Sequence, residues 1–279
     1  MPGSCYGSIG PLSQNPITGE HYYHDFPFFS TRDMIRSYRP LVQLLGIGQI
    51  HIGIGGSMGG QQLLEWAVEE PALFEYIFPI ATNAQHSPWG IAFNESQRMS
   101  IEADTTWLDR NKAAGLEGMK AARATALLSY RHYDTYMLAQ PRSNEFPYEG
   151  GWDGAASYQR YQGEKLASRF NAFSYYCLSQ GMDAHNVGRD RGGVENALKR
   201  IKASTLSIGI ETDILFPLSE QQQLAACIPV AAFASISSKF GHDGFLLEYE
   251  SIGALITNFI QTGHKPSPKS ERIETYGST

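Results

Sequence analysis

A glycine-rich turn between an apolar run and a helical pattern constrains this chain more than any other feature. Residues 50–54 read as a short buried strand, Gly55–Gly59 reads GGSMG, and residues 61–70 carry apolar side chains at helical spacing. A sharp strand-to-helix turn that projects a serine hydroxyl is the G-x-S-x-G nucleophile elbow. The sequence therefore predicts a strand, a tight turn and a helix, with Ser57 as a nucleophile.

The glycines of this turn have a physical reason. Side chains two residues before and after the serine, at Gly55 and Gly59, are expected to collide with neighbouring backbone. The backbone N–H of Met58 would then begin a helix and point at a reacting carbonyl oxygen, which predicts Met58 as an oxyanion donor. A glycine turn with a purely structural role could have the same sequence. Whether Ser57 is a nucleophile therefore depends on whether an acid and a histidine follow it in the chain.

Two downstream residues supply that acid and that histidine in the order Ser, Asp, His that this elbow requires. Asp213 follows the predicted strand 205–210, and His242 follows the predicted strand 230–236 and precedes the last helix. Of the eight histidines, His242 alone has this placement. The alternative for Asp213 is a helix cap or a solvated loop acid. We interpret Ser57, Asp213 and His242 as a catalytic triad.

Strands and helices alternate at both ends of the chain, and a long helical segment separates them. The pattern predicts an α/β class with a mostly parallel sheet. The expected domains are a core of residues 1–85 and 202–264, a helical lid insertion over residues 86–201, and a flexible tail over residues 265–279.

Composition excludes several classes of function. The net charge is −6 and lysines and arginines do not cluster, which argues against a nucleic-acid partner. Cys5, Cys177 and Cys227 form no CxxC pair, so neither a disulfide framework nor a metal site is predicted, and a reducing cytoplasm is expected. The sequence has no apolar run of about 18 residues, so no contact with a membrane is expected.

Several short motifs identify a family. They lie in the same order as in that family between residue 3 and about residue 260. The motifs are GSCYG at Gly3–Gly7, DFP at Asp25–Pro27, RDM at Arg32–Met34, GGSMGG at Gly55–Gly60, EWA at Glu65–Ala67, LSYR at Leu128–Arg131 and GHD at Gly241–Asp243. With these motifs the chain resembles the homoserine O-acetyltransferase family of the α/β-hydrolase superfamily.

The resemblance implies an α/β-hydrolase fold with a helical lid, a cytoplasmic location and a homodimer packed through lid helices. It also implies ping-pong transfer of an acetyl group from acetyl-CoA to the hydroxyl of L-homoserine, on the way to methionine. Acetyl-CoA would be a co-substrate, and no further cofactor is expected. Ser57 would attack the thioester, His242 would take its proton, and Asp213 would hold the imidazole in the productive tautomer.

The resemblance further implies three substrate-binding residues. Arg123, with Tyr130 beside it, would bind the homoserine carboxylate, and Asp243 would bind its α-ammonium. A guanidinium can hold a carboxylate through two parallel hydrogen bonds, which a lysine cannot do. The alternative for Arg123 is an exposed charge on a helix surface.

The chain also departs from the family pattern. Family members carry an N-terminal segment before the GSCYG motif, with the first strands of the sheet and a loop that donates the second oxyanion N–H. This chain begins at that motif, so those strands are expected to be missing and the strand 50–54 to lie at a sheet edge. Losing one oxyanion donor typically costs about 100- to 1000-fold in rate.

Other functions share the same triad. The alternatives are homoserine O-succinyltransferase, serine O-acyltransferase, an esterase-type hydrolase and a truncated inactive relic.

Overall fold

The computed structural model describes residues 1–4, 7–140 and 154–262. The predicted flexible tail, residues 265–279, lies outside them. The chain divides into two compact units. The sheet unit contains residues 31–87 and the chain from residue 185 onward, and the helical unit contains residues 1–30 and 88–184.

The sheet unit contains four parallel strands whose spatial order follows their order along the chain. They are β1 (Ile50–Gly56), β2 (Phe74–Ile80), β3 (Ser204–Ile210) and β4 (Ala231–Ile236). Parallel strands need long crossovers, and the two inner strands, β2 and β3, are buried over most of their length. Among the described strands β1 pairs only with β2, and Ile54 on β1 is 59% exposed.

Helices make up most of the remaining structure. In chain order the described helices are α1 (Thr31–Leu44), α2 (Met58–Glu69), α3 (Pro88–Glu102), α4 (Leu116–Tyr130), α5 (Tyr133–Ala139), α6 (Gly154–Ala167), α7 (Ala172–Asp183), α8 (Val194–Leu198), α9 (Leu218–Cys227), α10 (Gly244–Leu247) and α11 (Tyr249–Thr262). None of them is both long enough and apolar enough to cross a lipid bilayer.

Each face of the sheet buries its own apolar cluster. On one face Ile77 packs with residues of α2 and α9, including Leu64 and Leu224. On the other face Phe78 packs against α11, where Phe259 meets it edge to face. Removal of this apolar surface from water is the main stabilising term for the unit, and it holds the carboxyl ends of the strands in a rigid frame.

A buried ion-pair network holds α1 against α2. Glu65 is only 1% exposed and accepts from Arg32 at 2.7 Å and from Arg191 at 2.8 Å. Glu69, one turn further along α2, pairs with Arg36 and Arg191. These guanidinium groups hold the pKa of Glu69 below its usual value, although burial opposes them. The network therefore ties the helix that follows Ser57 to two other segments of the sheet unit.

The helical unit has a separate core. The N-terminal segment, residues 1–30, belongs to this unit together with α3–α7. Its buried residues are mainly aromatic and aliphatic and include Ile101, Trp107, Met119 and Phe173. The N-terminal 30 residues group with α3–α7, and residues 185–201 group with the sheet unit. The predicted domain boundaries stay a prediction.

The sequence pattern also predicts continuous helices over residues 157–180, 191–201 and 244–261, and the structure breaks or shortens all three. The segment 157–180 contains two helices because Asn171 caps α7 through its side chain. The segment 191–201 is helical only over α8, since Gly192 and Gly193 both take positive φ before it. The segment 244–261 breaks at Glu248, which ends α10 in a non-helical conformation.

His185 is a buried, neutral histidine of the sheet unit. A carbonyl oxygen only accepts, so Nε2–H donates to the carbonyl of Asn83 at 3.1 Å, and Nδ1 accepts from the Thr31 hydroxyl at 2.9 Å. Its own carbonyl accepts from the N–H of His86. Burial lowers the pKa of His185 to about 3.

This shift predicts acid-sensitive folding. The unfolded chain binds a proton at His185 below about pH 6.5, and the folded chain does not bind it until about pH 3, so stability falls as the pH drops between those values. The slope is about 1.4 kcal/mol per pH unit. From pH 7 to pH 5 we expect the wild-type chain to lose about 2 kcal/mol more unfolding free energy than His185→Gln. Urea unfolding at both pH values measures this difference.

His51→Gln is the matched control, because His51 is an exposed histidine of the same unit. It should keep the wild-type pH dependence. An equal pH dependence in wild-type and His185→Gln proteins would contradict the assignment.

Candidate active site

The turn after β1 holds Ser57 in an unusual backbone conformation. Its φ is +53° and its ψ is −126°, a combination that L-residues rarely adopt. Three hydrogen bonds hold it there. The N–H of Ser57 donates to Ile80 at 3.0 Å, and its carbonyl oxygen accepts from the Thr82 hydroxyl at 2.8 Å and from the N–H of Gln61 at 3.1 Å. These hydrogen bonds hold Ser57 in a strained backbone conformation, as is typical of functional sites.

The two motif glycines differ in how much they are needed. A Cβ at Gly55 would lie 2.4 Å from the carbonyl oxygen of Gly59, so the strand and the helix approach each other too closely for a side chain there. A Cβ at Gly59 would meet nothing within 4 Å outside its own helix. The expected collision is therefore right at Gly55 and wrong at Gly59.

The structure brings Ser57, His242 and Asp213 into one hydrogen-bonded chain. The Ser57 hydroxyl lies 2.9 Å from Nε2 of His242, and Nδ1 of His242 lies 2.6 Å from Oδ2 of Asp213. Asp213 lies three residues beyond β3, and His242 lies in the 3₁₀ turn Gly241–Asp243 beyond β4. The carboxyl ends of parallel strands meet at one edge of a sheet, so loops distant in sequence converge there.

The carboxylate of Asp213 is oriented before any substrate binds. Its Oδ1 accepts from the backbone N–H groups of Leu215 and Phe216 at 2.8 and 2.9 Å, which leaves Oδ2 for the imidazole. An ionised carboxylate only accepts, so Nδ1 of His242 carries the hydrogen and Nε2 accepts from the Ser57 hydroxyl. This tautomer is the one that a general base for serine requires.

Aromatic rings enclose the imidazole of His242. Phe216 stacks on it with ring centroids 5.1 Å apart and an interplanar angle of 28°, and Phe245 contacts it at 5.1 Å. The ring is therefore shielded from water, and hydrogen bonds to it are stronger than they would be in solvent. A Cβ at Gly56 would lie only 2.4 Å from the ring of Phe245, so the ring occupies the space that a side chain there would need.

A threonine joins the acid loop to the histidine loop. The Thr212 hydroxyl donates to the carbonyl of Ser238 at 2.6 Å and accepts from the N–H of Gly241 at 3.1 Å. Because Thr212 precedes Asp213 and Gly241 precedes His242, these two bonds fix the separation of the two loops. Sequence reasoning missed Thr212, Phe216 and Phe245. Their adjacency to the triad residues was the signal that could have found them.

A polar network lies behind the elbow. The Gln61 amide donates to Asn83 at 3.0 Å, and the Asn83 amide donates to Glu220 at 3.1 Å. Burial, reinforced by the charge of Asp213, raises the pKa of Glu220 to about 7 against the effect of its hydrogen bonds with Asn83 and Ser87. The site therefore has a second acid, largely neutral below neutral pH, within electrostatic reach of Asp213.

The other candidate residues lie in two places. Met58 is the first residue of α2, where backbone N–H groups lack intrahelical partners and the helix dipole is positive. Asp243 directly follows His242 in the 3₁₀ turn of the sheet unit. Arg123 and Tyr130 both lie on α4 of the helical unit, with the guanidinium carbon 5.6 Å from the Tyr130 ring centroid.

Arg123 has an unusual electrostatic setting. Within the described ranges no carboxylate forms an ion pair with it, whereas Arg98 of the same unit pairs with Glu95 and Asp183. Its cation–π contact with Tyr130 holds the guanidinium without neutralising it.

Among residues 1–4, 7–140 and 154–262, no three His, Cys, Asp or Glu side chains lie close enough together to hold a metal ion. The groups that converge on Ser57 are an imidazole and a carboxylate, an arrangement suited to acyl transfer through a serine ester.

The fold and this arrangement of Ser57, His242 and Asp213 define a class of protein. Residues 1–249 match the family model described as alpha/beta hydrolase fold. The solved structure of homoserine O-acetyltransferase from Bacillus anthracis superimposes with a TM-score of 0.85 at 22% identity, covering 93% of this chain and 72% of that one. Esterase E22 superimposes with a TM-score of 0.84 at 23% identity, covering 91% and 72%. These two likenesses show the fold, which is that of the α/β hydrolases.

Sequence similarity is more specific. The homoserine O-acetyltransferase of Cyclobacterium marinum is 47% identical over 257 residues, which cover 92% of this chain and 72% of that protein. The chain therefore belongs to the homoserine O-acetyltransferase family, a family of acyltransferases. The predicted family and the predicted α/β-hydrolase fold are confirmed, and the helical lid stays a prediction. The predicted roles of the individual site residues stay predictions.

Proposed function

We propose that this protein transfers an acetyl group from acetyl-CoA to the hydroxyl of L-homoserine through an acetyl-serine intermediate. The observation that carries the proposal is the hydrogen-bonded chain from Ser57 through His242 to Asp213 in a member of this family. The relative from Cyclobacterium marinum is named homoserine O-acetyltransferase, which supports the acetyl group and the homoserine acceptor. The reaction needs no cofactor beyond its co-substrate.

In the first half-reaction Ser57 attacks the thioester carbonyl of acetyl-CoA. Nε2 of His242 takes the hydroxyl proton, and the ionised Asp213 stabilises the resulting imidazolium. The negative oxygen that develops is stabilised by the Met58 N–H at the start of α2. The carbon–sulfur bond then breaks, the thiolate of CoA takes the proton from His242, and an acetyl ester remains on Ser57.

The second half-reaction reverses these roles. His242 takes the proton of the homoserine hydroxyl, whose oxygen attacks the ester carbonyl. The bond to the Ser57 oxygen breaks, and the proton on His242 restores the serine hydroxyl. Arg123 with Tyr130 would bind the acceptor carboxylate, and Asp243 would bind its ammonium group. A hydrolase would use water at this stage, so acceptor binding is what favours transfer.

The direct test mixes purified protein with acetyl-CoA and L-homoserine. Thiol release is followed with a chromogenic disulfide, and the O-acetyl product is identified by mass. We expect thiol release that depends on homoserine, and a protein one acetyl group heavier when homoserine is omitted. Preference for succinyl-CoA, for L-serine or for water would each replace the proposal by the corresponding acyltransferase or hydrolase. Absence of both acylation and product would identify an inactive chain.

Truncation of Arg123 should separate the two half-reactions. Arg123→Ala removes the proposed carboxylate ligand, so kcat/KM for homoserine should fall about 100-fold while acetylation of Ser57 changes less than about threefold. Arg123→Lys should recover only part of the loss, since an ammonium lacks the planar fork. Single-turnover acylation and steady-state transfer measure the two effects.

Lys112→Ala is the control for a lost positive charge, because Lys112 is an exposed cation of the same helical unit. It should leave both half-reactions unchanged. Equal losses in both half-reactions of Arg123→Ala would show that Arg123 does not serve the acceptor.

We also propose a homodimer and a cytoplasmic location, as the family resemblance implies. Sedimentation of the purified chain tests the first, and fractionation of the native host tests the second.

A further inference from the structure

The turn that follows β2 lies directly against the strained elbow of Ser57. Ala81, the first residue after β2, has a φ of +45°, which L-residues rarely adopt. Its N–H donates to the carbonyl of Ile208 on β3 at 2.9 Å, so the neighbouring strand helps to hold this conformation. The chain changes direction sharply at Ala81, and the side chain of the next residue, Thr82, contacts Ser57.

Thr82 is completely buried, and both its hydroxyl and its carbonyl oxygen form hydrogen bonds. The hydroxyl donates to the carbonyl oxygen of Ser57 at 2.8 Å. The carbonyl oxygen of Thr82 accepts from the side-chain amide of Gln221 on α9 at 2.6 Å. Gln221 is also completely buried. The bond to the Ser57 carbonyl therefore comes from a residue that is itself held in place.

The first turn of α2 lies close to Thr82 because residue 60 is a glycine. A Cβ at Gly60 would lie 2.6 Å from both Cβ and Cγ2 of Thr82, and 2.8 Å from its hydroxyl oxygen. Glycine weakens a helix, and this close approach is a physical reason for having one here. The helix that begins directly after Ser57 thus packs on the same threonine that bonds to the Ser57 carbonyl.

The bond from Thr82 matters because the backbone conformation of Ser57 is unfavourable. A residue in a rare φ/ψ region stays there only when its surroundings hold it. The other two described bonds join the backbone of Ser57 to the backbone of Ile80 and Gln61, whereas Thr82 contributes a side chain. Without that hydroxyl, Ser57 would be free to relax, and its Oγ would leave its position 2.9 Å from Nε2 of His242. Small displacements of a reacting atom lower the rate strongly.

We propose that Thr82 is a positioning residue that holds Ser57 in its reactive conformation. The proposal rests on the proposed function, because it takes Ser57 as the nucleophile. Thr82 acts through the backbone carbonyl of Ser57 and not on a reacting atom. It extends the elbow to a residue 25 positions away in the chain, in the turn after the neighbouring strand.

The test is Thr82→Val, which keeps the shape of the side chain and removes the hydroxyl. The maximal rate of single-turnover acetylation of Ser57 should fall about 10-fold, while the acetyl-CoA concentration that gives half of this rate changes less than about twofold. Thr82→Ser keeps the hydroxyl and should stay within about threefold of the wild-type rate. A wild-type rate in Thr82→Val, or equal losses in both variants, would overturn the proposal.

Thr205→Val is the matched control for the loss of a buried hydroxyl. Thr205 lies on β3 of the same unit, is as fully buried as Thr82, and its hydroxyl donates to the carbonyl of Ala203 at 3.0 Å. Both valine variants should melt at a lower temperature than the wild-type protein. At a temperature where all variants are folded, Thr205→Val should be acetylated at the wild-type rate. If it lost as much rate as Thr82→Val, the loss would follow stability alone and the positioning role would be wrong.

Labelling with a fluorophosphonate separates this proposal from the proposed function. The oxygen of Ser57 attacks phosphorus, fluoride leaves and His242 takes the proton, so the reaction needs neither acetyl-CoA nor homoserine. Thr82→Val should slow labelling about 10-fold, and Thr82→Ser less than about threefold.

Each result of the labelling experiment decides between the two proposals. If wild-type protein is labelled but transfers no acetyl group, and Thr82→Val is labelled slowly, the proposed function fails and the positioning role stands. If acetyl transfer occurs and Thr82→Val is labelled as fast as the wild-type protein, the positioning role fails. A wild-type protein that is not labelled at Ser57 would overturn both.

Discussion

Ser57→Ala should lower homoserine-dependent thiol release from acetyl-CoA by at least about 10⁴-fold. The variant has no oxygen to form the acetyl ester, while its backbone turn and the Asp213–His242 pair should remain. Residual activity would come only from substrate binding and the Met58 N–H. Steady-state thiol release measures the loss, and intact mass should show no acetylated protein after incubation with acetyl-CoA.

Ser37→Ala is a suitable control for this substitution. The Ser37 hydroxyl donates to the carbonyl of Met34 within α1 of the same unit, and it has no proposed chemical role. Wild-type activity is expected. An acetylated Ser57→Ala protein, or a loss of less than tenfold, would show that another group carries the acyl chain.

Asp213→Asn should lower the same activity by about 10⁴-fold with little loss of stability. Two backbone N–H groups hold Oδ1 in place, so the asparagine oxygen would take that position and its NH₂ group would face Nδ1 of His242. The NH₂ group donates, so Nδ1 must become the acceptor and Nε2 must carry the hydrogen. The imidazole could then no longer accept the Ser57 proton.

The expected cause of this loss is the changed tautomer of His242, and the fold should be kept. Asp213→Asn should have a melting temperature near that of the wild-type protein, because its hydrogen bonds to Leu215 and Phe216 persist. Asp190→Asn is the control, because Asp190 is an exposed acid of the sheet unit, and it should leave the activity unchanged. Near-normal turnover by Asp213→Asn would remove Asp213 from the mechanism.

The sequence predicted the local features of the site well. Helical or strand periodicity and turn chemistry depend on only a few neighbouring residues. The turn after β1 and the loops with Asp213 and His242 could therefore be predicted from the sequence. Their convergence followed from one topological rule, that the carboxyl ends of parallel strands meet at one edge. The distances of 2.9 and 2.6 Å in the triad chain agree with that expectation.

Other features depend on contacts that no local pattern carries. Gly55 is required and Gly59 is not, and the difference arises from where α2 lies relative to β1. Nothing in the local sequence distinguishes Thr212 from other loop residues, and its role depends on its hydrogen bonds with Ser238 and Gly241. The break before α7 depends on the cap at Asn171, which a continuous helical pattern conceals.

The unit to which residues 1–30 belong could not be predicted from the sequence. This segment is rich in aromatic residues and its sequence shows neither helical nor strand periodicity, so the pattern does not indicate what it packs against. His24 donates from Nε2 to the carbonyl of Trp107 at 2.8 Å, which ties this segment to the helical unit. Long-range bonds of this kind decide which unit a loop belongs to.

The chain passes between its two units at three points, after residues 30, 87 and 184. All three lie next to a single imidazole, since Thr31 bonds to the ring of His185, and His86 bonds to its carbonyl. One proton placed on that ring near pH 3 would remove the acceptor for Thr31 and bring a charge into a buried part of the sheet unit. At about that pH the backbone at residues 31, 86 and 185 should therefore loosen together, and a protease that is active in acid should cut there early.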